Sequence, residues 1–234
     1  MTAVHVVLVP GFWLGAWAWD EVLPTLRAAG LRVHPVTLPG LASDDDRSGI
    51  DLDDHVGALV ELVDGLDGEV VLVAHSGGAL PVQTAVDRRP ERVRRVVYVD
   101  TGPMSDGVVA WPAAPGTVEL PFPSEDVLGE QGLSTEGLDA TALELLRHRA
   151  VPEPAGVAAA PVHLADDRRL QVPVTVVCTS LPAEQLRALL AAGQIPSELP
   201  RVHDVEYVDL PTGHWPMLSR PTDLGRVIAD AVLR

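Results

Sequence analysis

A serine and a histidine stand where two strand-like segments of this sequence run into glycine-containing turns. Ser76 lies within residues 74–78, directly after an apolar run, and His214 follows Gly213 near the carboxyl end. A hydroxyl is a poor nucleophile until a neighbouring imidazole accepts its proton. The two residues therefore predict nucleophilic catalysis, with Ser76 as the nucleophile and His214 as its general base.

The residues around Ser76 fit a sharp turn between a strand and a helix. Residues 69–74 are mostly β-branched and apolar, which predicts a buried strand, and a helical pattern follows over residues 79–88. The positions two residues before and after such a serine must be small, and here they are Ala74 and Gly78. The usual pattern, G-x-S-x-G, has glycine where this chain has Ala74, which adds only a methyl group.

An acyl-transfer reaction also needs hydrogen-bond donors for a negative oxygen. The backbone N–H of Gly77 lies at the predicted start of a helix, where such a donor is favoured. We expect the second donor in the loop after the first strand, from Phe12 or, failing that, Trp13.

The carboxylate that must orient the imidazole is less clear, because two acidic residues fit. Asp100 ends the predicted strand at 93–99, beside the serine-bearing strand. Glu184 follows Pro182 after the penultimate strand, where a helix would begin. Asp100 is the first choice and Glu184 the second, and a water molecule or another group is a further alternative.

The elements that must position these residues alternate along the chain. Strand patterns cover residues 4–9, 32–38, 69–74, 93–99, 172–179 and 205–210, and helical patterns cover 17–29, 51–66, 79–88 and 221–233. This alternation predicts an α/β fold with a mostly parallel, doubly wound sheet. Ligands bind at the carboxyl edge of such a sheet, which would bring Ser76 and His214 together.

Residues 104–167 interrupt this alternation. They are rich in proline and contain one helical pattern, over about 135–149. An irregular loop of this length is unusual in a compact domain, so we predict a small helical cap inserted into a core of residues 1–103 and 168–234. Several apolar side chains are candidates for lining a substrate pocket: Trp13, Met104, Trp111, Phe122 and Trp215.

Composition excludes several classes of function. The formal net charge is −16, and all 17 basic residues are arginine. We therefore expect a small-molecule substrate rather than nucleic acid or an anionic membrane, and no lysine Schiff-base chemistry. Because Cys178 is the single cysteine, we expect no internal disulfide and no thiolate metal cluster. We also expect no other metal site and no cofactor. No signal-like or membrane-spanning run is present, which predicts a cytoplasmic location, and the oligomeric state is undetermined.

At these residues the chain resembles the α/β-hydrolase superfamily, and within it the small bacterial esterases akin to plant methylesterases and hydroxynitrile lyases. Residues 11–19, 74–78, 151–154 and 213–214 carry the resemblance. Pro10 stands where that group usually has histidine. Most members place the acid after the penultimate strand, whereas some related dehalogenases place it where Asp100 lies. The lyases have lysine after the catalytic histidine, where this chain has Trp215.

The resemblance implies hydrolysis of a small carboxylic ester through an acyl-enzyme. A lyase, a lactonase or a metabolite-tailoring enzyme on the same scaffold is an alternative. A non-catalytic binding protein with this fold is a third hypothesis.

Overall fold

A six-stranded parallel sheet with helices on both faces forms the centre of the computed structural model, which describes residues 3–234. The strands are β1 (Val4–Val9), β2 (Arg32–Pro35), β3 (Glu69–His75), β4 (Val93–Val99), β5 (Glu119–Leu120), β6 (Glu153–Pro154), β7 (Val174–Cys178) and β8 (Val205–Asp209). The helices are α1 (Leu23–Ala28), α2 (Leu52–Gly65), α3 (Ala79–Arg88), α4 (Glu125–Glu130), α5 (Ala140–Arg149), α6 (Ala155–Ala158), α7 (Ala183–Ala191), α8 (Pro216–Ser219) and α9 (Pro221–Leu233). The strand order is β2-β1-β3-β4-β7-β8, which confirms the predicted fold class.

Both faces of the sheet are buried, because alternate side chains of each strand enter different cores. Val7 and Val9 of β1 belong to the core that includes α2 and α3, whereas Val6 and Leu8 belong to the core that includes α1 and α9. A strand that is covered on both sides needs apolar residues at consecutive positions. This requirement explains the unbroken valine- and leucine-rich runs of the sequence.

Two helix starts show how local chemistry sets the element boundaries. Asp51 accepts hydrogen bonds from the N–H groups of Asp53 and Asp54, and the Asp54 carboxylate accepts one from the N–H of Asp51, so α2 begins with a capping box. The predicted continuous helix over 17–29 is wrong: a 3-10 turn at Ala16–Trp19 is followed by the separate helix α1. Pro24 explains the break, since proline lacks an N–H and is tolerated only in the first helical turn.

Residues 104–167, the segment predicted to be a cap, contain α4, α5, α6 and the antiparallel pair of short strands β5 and β6. The segment reaches the carboxyl edge of the sheet, because the carbonyls of Ser134 and Glu136 accept the N–H groups of His214 and Gly213. The exact division into cap and core remains a prediction. Within residues 3–234, no helix is both long enough and apolar enough to cross a membrane.

Candidate active site

Ser76 lies at the tip of the turn between β3 and α3. Its φ angle is +49°, a left-handed conformation that is uncommon for a residue with a side chain. The turn is tight because a Cβ atom at Gly78 would lie 2.4 Å from the carbonyl oxygen of Pro10. Only glycine therefore fits at position 78, and the backbone carries the Ser76 side chain out of the sheet.

His214 lies between Ser76 and Asp100 and is hydrogen-bonded to both. The distance from Ser76 Oγ to His214 Nε2 is 2.8 Å, and the distance from His214 Nδ1 to Asp100 Oδ2 is 2.7 Å. Only 7% of each of the His214 and Asp100 side chains is exposed. With a carboxylate accepting from Nδ1–H, Nε2 is left to accept the hydroxyl proton of Ser76.

Asp100, and not Glu184, is the carboxylate that contacts His214. Asp100 follows β4, and β4 pairs with β3 so that Val99 lies opposite His75, which brings positions 76 and 100 to the same edge. Glu184 instead is exposed in the first turn of α7. Of the two acids left open by the sequence, the structure selects the one that ends a strand next to the serine.

The loop after β7, where most relatives are expected to carry the acid, supplies hydrogen-bond donors to Asp100. The Ser180 hydroxyl lies 2.6 Å from Asp100 Oδ2, and the Ser180 N–H donates to Oδ1 at 2.9 Å. Burial raises the pKa of Asp100, but the hydrogen bonds and charge of His214 and the donors of Ser180 outweigh it and hold the pKa below its usual range. Asp100 is therefore a carboxylate at neutral pH.

Replacing Ser180 with alanine tests the value of this donor. The variant keeps the backbone donor but loses the hydroxyl, and a hydrogen bond to a charged group contributes roughly 1.5 kcal/mol. We expect kcat/KM for an ester substrate to fall by about tenfold, because the Asp100 carboxylate loses one of the hydrogen bonds that stabilise its charge. An unchanged kcat/KM in Ser180→Ala, with Ser180→Thr as the variant that retains a hydroxyl, would show that Ser180 does not support the carboxylate.

Backbone strain is concentrated at this site. Within the described residues, the non-glycine residues with positive φ are Trp13 (67°), Ser76 (49°) and Asp100 (50°). Each such conformation costs of order 1 kcal/mol or more and persists only when the surrounding structure enforces it. Two of these residues belong to the Ser76–His214–Asp100 chain, and the third adjoins Phe12, the expected donor to an oxyanion.

The loop after β1 approaches Ser76 closely. A Cβ atom at Gly11 would lie 2.9 Å from the Cβ of Ser76, and one at Gly77 would lie 2.5 Å from the ring of Phe12. The N–H of Phe12 has no protein acceptor within residues 3–234, whereas the N–H of Trp13 donates to Glu153 Oε2 at 2.9 Å. Trp13, the second choice of donor, is thus already engaged, and Phe12 and Gly77 remain the candidates.

His75 also contacts a residue of the active site, and the sequence analysis assigned it no role, just as it assigned none to Glu153. His75 Nε2 lies 2.7 Å from the backbone carbonyl oxygen of His214, so its N–H holds the main chain of the base. Burial and the neighbouring His214 lower the pKa of His75, which keeps its ring neutral. The position of His75 beside Ser76 was visible in the sequence, but its direction was not.

An apolar cavity of about 390 Å³ opens beside His214 and Asp100. Among the described residues that line it, these two are the only acidic or basic ones. Its apolar lining includes Met104, Leu133, Leu181, Leu186, Leu190 and Ile195. A cavity of this size and character suits an uncharged organic group of moderate size.

Of the predicted pocket residues, only Met104 lines this cavity. The other four lie elsewhere and contact one another: Trp13 meets Trp111 and Phe122 edge to face at 5.3 and 5.6 Å, and Phe122 lies 6.4 Å from Trp215. Aromatic rings gain stability from such edge-to-face contacts. These four therefore do not line this cavity, because they pack against one another, and a contact between them and a substrate stays a prediction.

Comparison with known proteins shows the family to which the chain belongs. Residues 6–226 match the family model described as the alpha/beta hydrolase family. The chain belongs to the alpha/beta hydrolase family. Methylesterase 2 of Arabidopsis thaliana is 34% identical over 160 residues, which are 62% of this chain and 59% of that protein. The carbendazim hydrolyzing esterase of Nocardioides sp. (strain SG-4G) is 31% identical over 99 residues, 41% of each chain.

The match to such relatives is partial. Methylesterase 8 of Arabidopsis thaliana is 38% identical over 104 residues, which are 42% of this chain and 38% of the relative. The chain thus spans roughly two fifths to three fifths of the length of these curated alpha/beta hydrolases.

Solved structures extend the likeness in fold to the whole chain. An extracellular alpha/beta-hydrolase from a Paenibacillus species matches with a TM-score of 0.78 at 19% identity, covering 97% of this chain and 98% of that one. A methylesterase from Arabidopsis matches with a TM-score of 0.76 at 20% identity, covering 99% of both chains. Tomato methylketone synthase I matches with a TM-score of 0.76 at 18% identity, covering 100% of this chain and 99% of that one.

Proposed function

We propose that this alpha/beta hydrolase is a serine-dependent carboxylic-ester hydrolase. The observation that carries the proposal is the continuous hydrogen-bonded chain from Asp100 through His214 to Ser76, with distances of 2.7 and 2.8 Å. A nucleophile, a general base and an orienting acid in this order are the requirements of acyl transfer through a serine.

The reaction proceeds in two steps. Ser76 Oγ attacks the ester carbonyl while His214 Nε2 takes its proton, and the N–H groups of Phe12 and Gly77 stabilise the negative oxygen of the tetrahedral intermediate. The bond to the alcohol oxygen then breaks, the proton on His214 passes to the leaving alcohol, and an acyl-Ser76 remains. Water attacks this acyl group with His214 again as base, which releases the carboxylic acid and returns the proton to Ser76.

The substrate we propose is a small uncharged ester with an apolar group. The apolar cavity beside His214 supports this class. Among the described residues that line it there is no arginine, so a charged group on the substrate would find no arginine partner there. The names of the methylesterase relatives point the same way, although they describe those proteins. Trp215, where the lyases have lysine, favours hydrolysis over a lyase reaction.

A fluorophosphonate probe tests the proposal without knowledge of the natural substrate. We expect covalent labelling on Ser76, located by mass spectrometry of peptides, because only a serine activated by its base attacks the phosphorus centre readily. The labelled enzyme should lose its turnover of p-nitrophenyl esters in proportion to the labelling.

An unreactive Ser76 in folded protein would instead favour a non-catalytic binding protein. If Ser76 is labelled but a panel of esters is not turned over, lactones and cyanohydrins are the next substrates to assay.

A further inference from the structure

The cap segment, residues 104–167, contacts Trp13 at three points. The Trp13 N–H donates to Glu153 Oε2 at 2.9 Å, and its carbonyl accepts the N–H of Val151 at 2.9 Å. The Trp13 indole N–H donates to the carbonyl of Leu120 at 3.0 Å, and Leu120 of β5 pairs with Glu153 of β6. The cap segment therefore holds the residue that follows Phe12 by both backbone groups and by its side chain.

Glu153 is buried without a basic partner. Its exposed fraction is 1%, and within residues 3–234 no arginine or histidine nitrogen lies within salt-bridge distance of its carboxylate. The other deeply buried glutamate, Glu198, is paired with Arg169 at 2.7 Å. Burying a charge without a partner is costly, so a carboxyl group in the position of Glu153 favours its neutral form.

The charged and titratable groups around Glu153 do not reverse this preference. Arg47, from the loop before α2, donates from Nε to the Pro152 carbonyl and lies 3.8 Å from Glu119 of β5, so its charge is shared. Burial lowers the pKa of His55 of α2, which leaves that ring neutral. Burial raises the pKa of Glu153 to about 8, although the Trp13 N–H and Arg47 oppose the shift. Glu153 is thus mainly a neutral acid at pH 7.

Glu153 also lies beside the groups that would bind a negative oxygen. Glu153, Phe12 and Gly77 line one small void of about 10 Å³ behind the β1 loop. Consecutive residues of a chain are separated by only about 3.8 Å between Cα atoms, so the N–H groups of Phe12 and Trp13 are neighbours. A negative charge on Glu153 would repel an oxyanion bound there, and in this buried region little water is present to screen the repulsion.

We propose that Glu153 is a positioning residue of the oxyanion loop, which holds the Trp13 N–H as an uncharged carboxylic acid and slows ester hydrolysis when it loses its proton. This inference rests on the proposed function. It predicts that one buried group outside the Ser76–His214–Asp100 chain limits activity on the alkaline side.

The test is the pH profile of kcat/KM for a p-nitrophenyl ester between pH 6 and 10, with the Ser76→Ala variant as the blank for spontaneous hydrolysis. We expect the wild-type rate to fall by about tenfold from pH 7 to pH 9, as one ionisation near pH 8 predicts. Glu153→Gln keeps a neutral acceptor for the Trp13 N–H, so its rate should stay level over this range. Glu144→Gln, which removes an exposed carboxylate from α5 and leaves the contacts of Arg47 and Trp13 intact, should keep the wild-type fall. A fall of equal size in Glu153→Gln, or no fall in the wild type, overturns the inference.

A second readout separates this inference from the proposed function. In ¹⁵N-labelled wild-type protein, the backbone amide resonance of Trp13 should shift with a midpoint near pH 8, and this titration should be missing in Glu153→Gln. If the protein hydrolyses no ester and Ser76 resists the probe, the proposed function fails, whereas the Trp13 titration still decides whether Glu153 is the ionising group. A Trp13 amide that does not titrate in the wild type overturns the inference even in an active hydrolase.

Discussion

Replacing Ser76 with alanine is expected to lower kcat/KM for a p-nitrophenyl ester by about 10⁵-fold. The change removes the only atom that bonds to the acyl carbon and leaves His214 without a proton to accept. Alanine and serine pay a similar cost for the φ of +49° at this position, so the fold should persist. The loss is therefore one of chemistry and not of structure.

Steady-state kinetics with the Ser76→Ala variant, together with thermal unfolding, measure this effect. Ser43→Ala is a matched control, because Ser43 is exposed and makes no contact with the site chain of Asp100, His214 and Ser76. We expect Ser43→Ala to keep wild-type activity and both variants to keep the wild-type melting temperature. Turnover by Ser76→Ala above about one hundredth of the wild-type value would require a different nucleophile.

The Asp100→Asn variant should show the second largest effect, a fall in kcat of about 10⁴-fold. Asparagine is similar in shape but carries no charge to stabilise the imidazolium, and its amide can donate to Nδ1 and so favour the wrong tautomer of His214. The site should otherwise keep its arrangement. The backbone N–H groups of Thr179 and Ser180 donate to Asp100 Oδ1, and the side-chain oxygen of asparagine can accept the same two hydrogen bonds. Kinetic assays of the purified variant and its reactivity with the fluorophosphonate probe report the loss independently.

Glu184→Gln is the matched control for Asp100→Asn, because it makes the same chemical change in the other acid that the sequence offered. Glu184 is exposed in the first turn of α7, so its replacement should change kcat by less than about twofold. The reverse result, with Glu184→Gln inactive and Asp100→Asn active, would show that His214 changes its partner in solution.

Ser76 and the parallel sheet could be predicted because their signals are local. A serine between small residues, after a β-branched run and before a helical one, specifies a strand, a tight turn and a helix within about twenty residues of chain. Alternating strands and helices then imply a parallel sheet, and a parallel sheet collects its strand ends at one edge. His214 could be assigned for the same reason, since it follows the last strand.

Other features were decided only by tertiary contacts. The choice between Asp100 and Glu184 depended on which strand end faces the imidazole, and both acids satisfied every local rule. The bond from the Trp13 N–H to Glu153 joins residues 140 positions apart, and no pattern of spacing reports such a distance. The four aromatic residues predicted to line a pocket pack against one another, away from the cavity beside His214.

The sequence by itself thus determined the fold, the turn that carries Ser76 and the edge where His214 would meet it, because each follows from short-range periodicity and turn sterics. Only the tertiary structure decided which carboxylate contacts His214 and which backbone donors around Ser76 are free. It alone also showed that the buried Glu153 accepts a hydrogen bond from the loop beside these donors. These features depend on burial and on contacts between distant segments, and burial is a property of the packed chain rather than of any stretch of it.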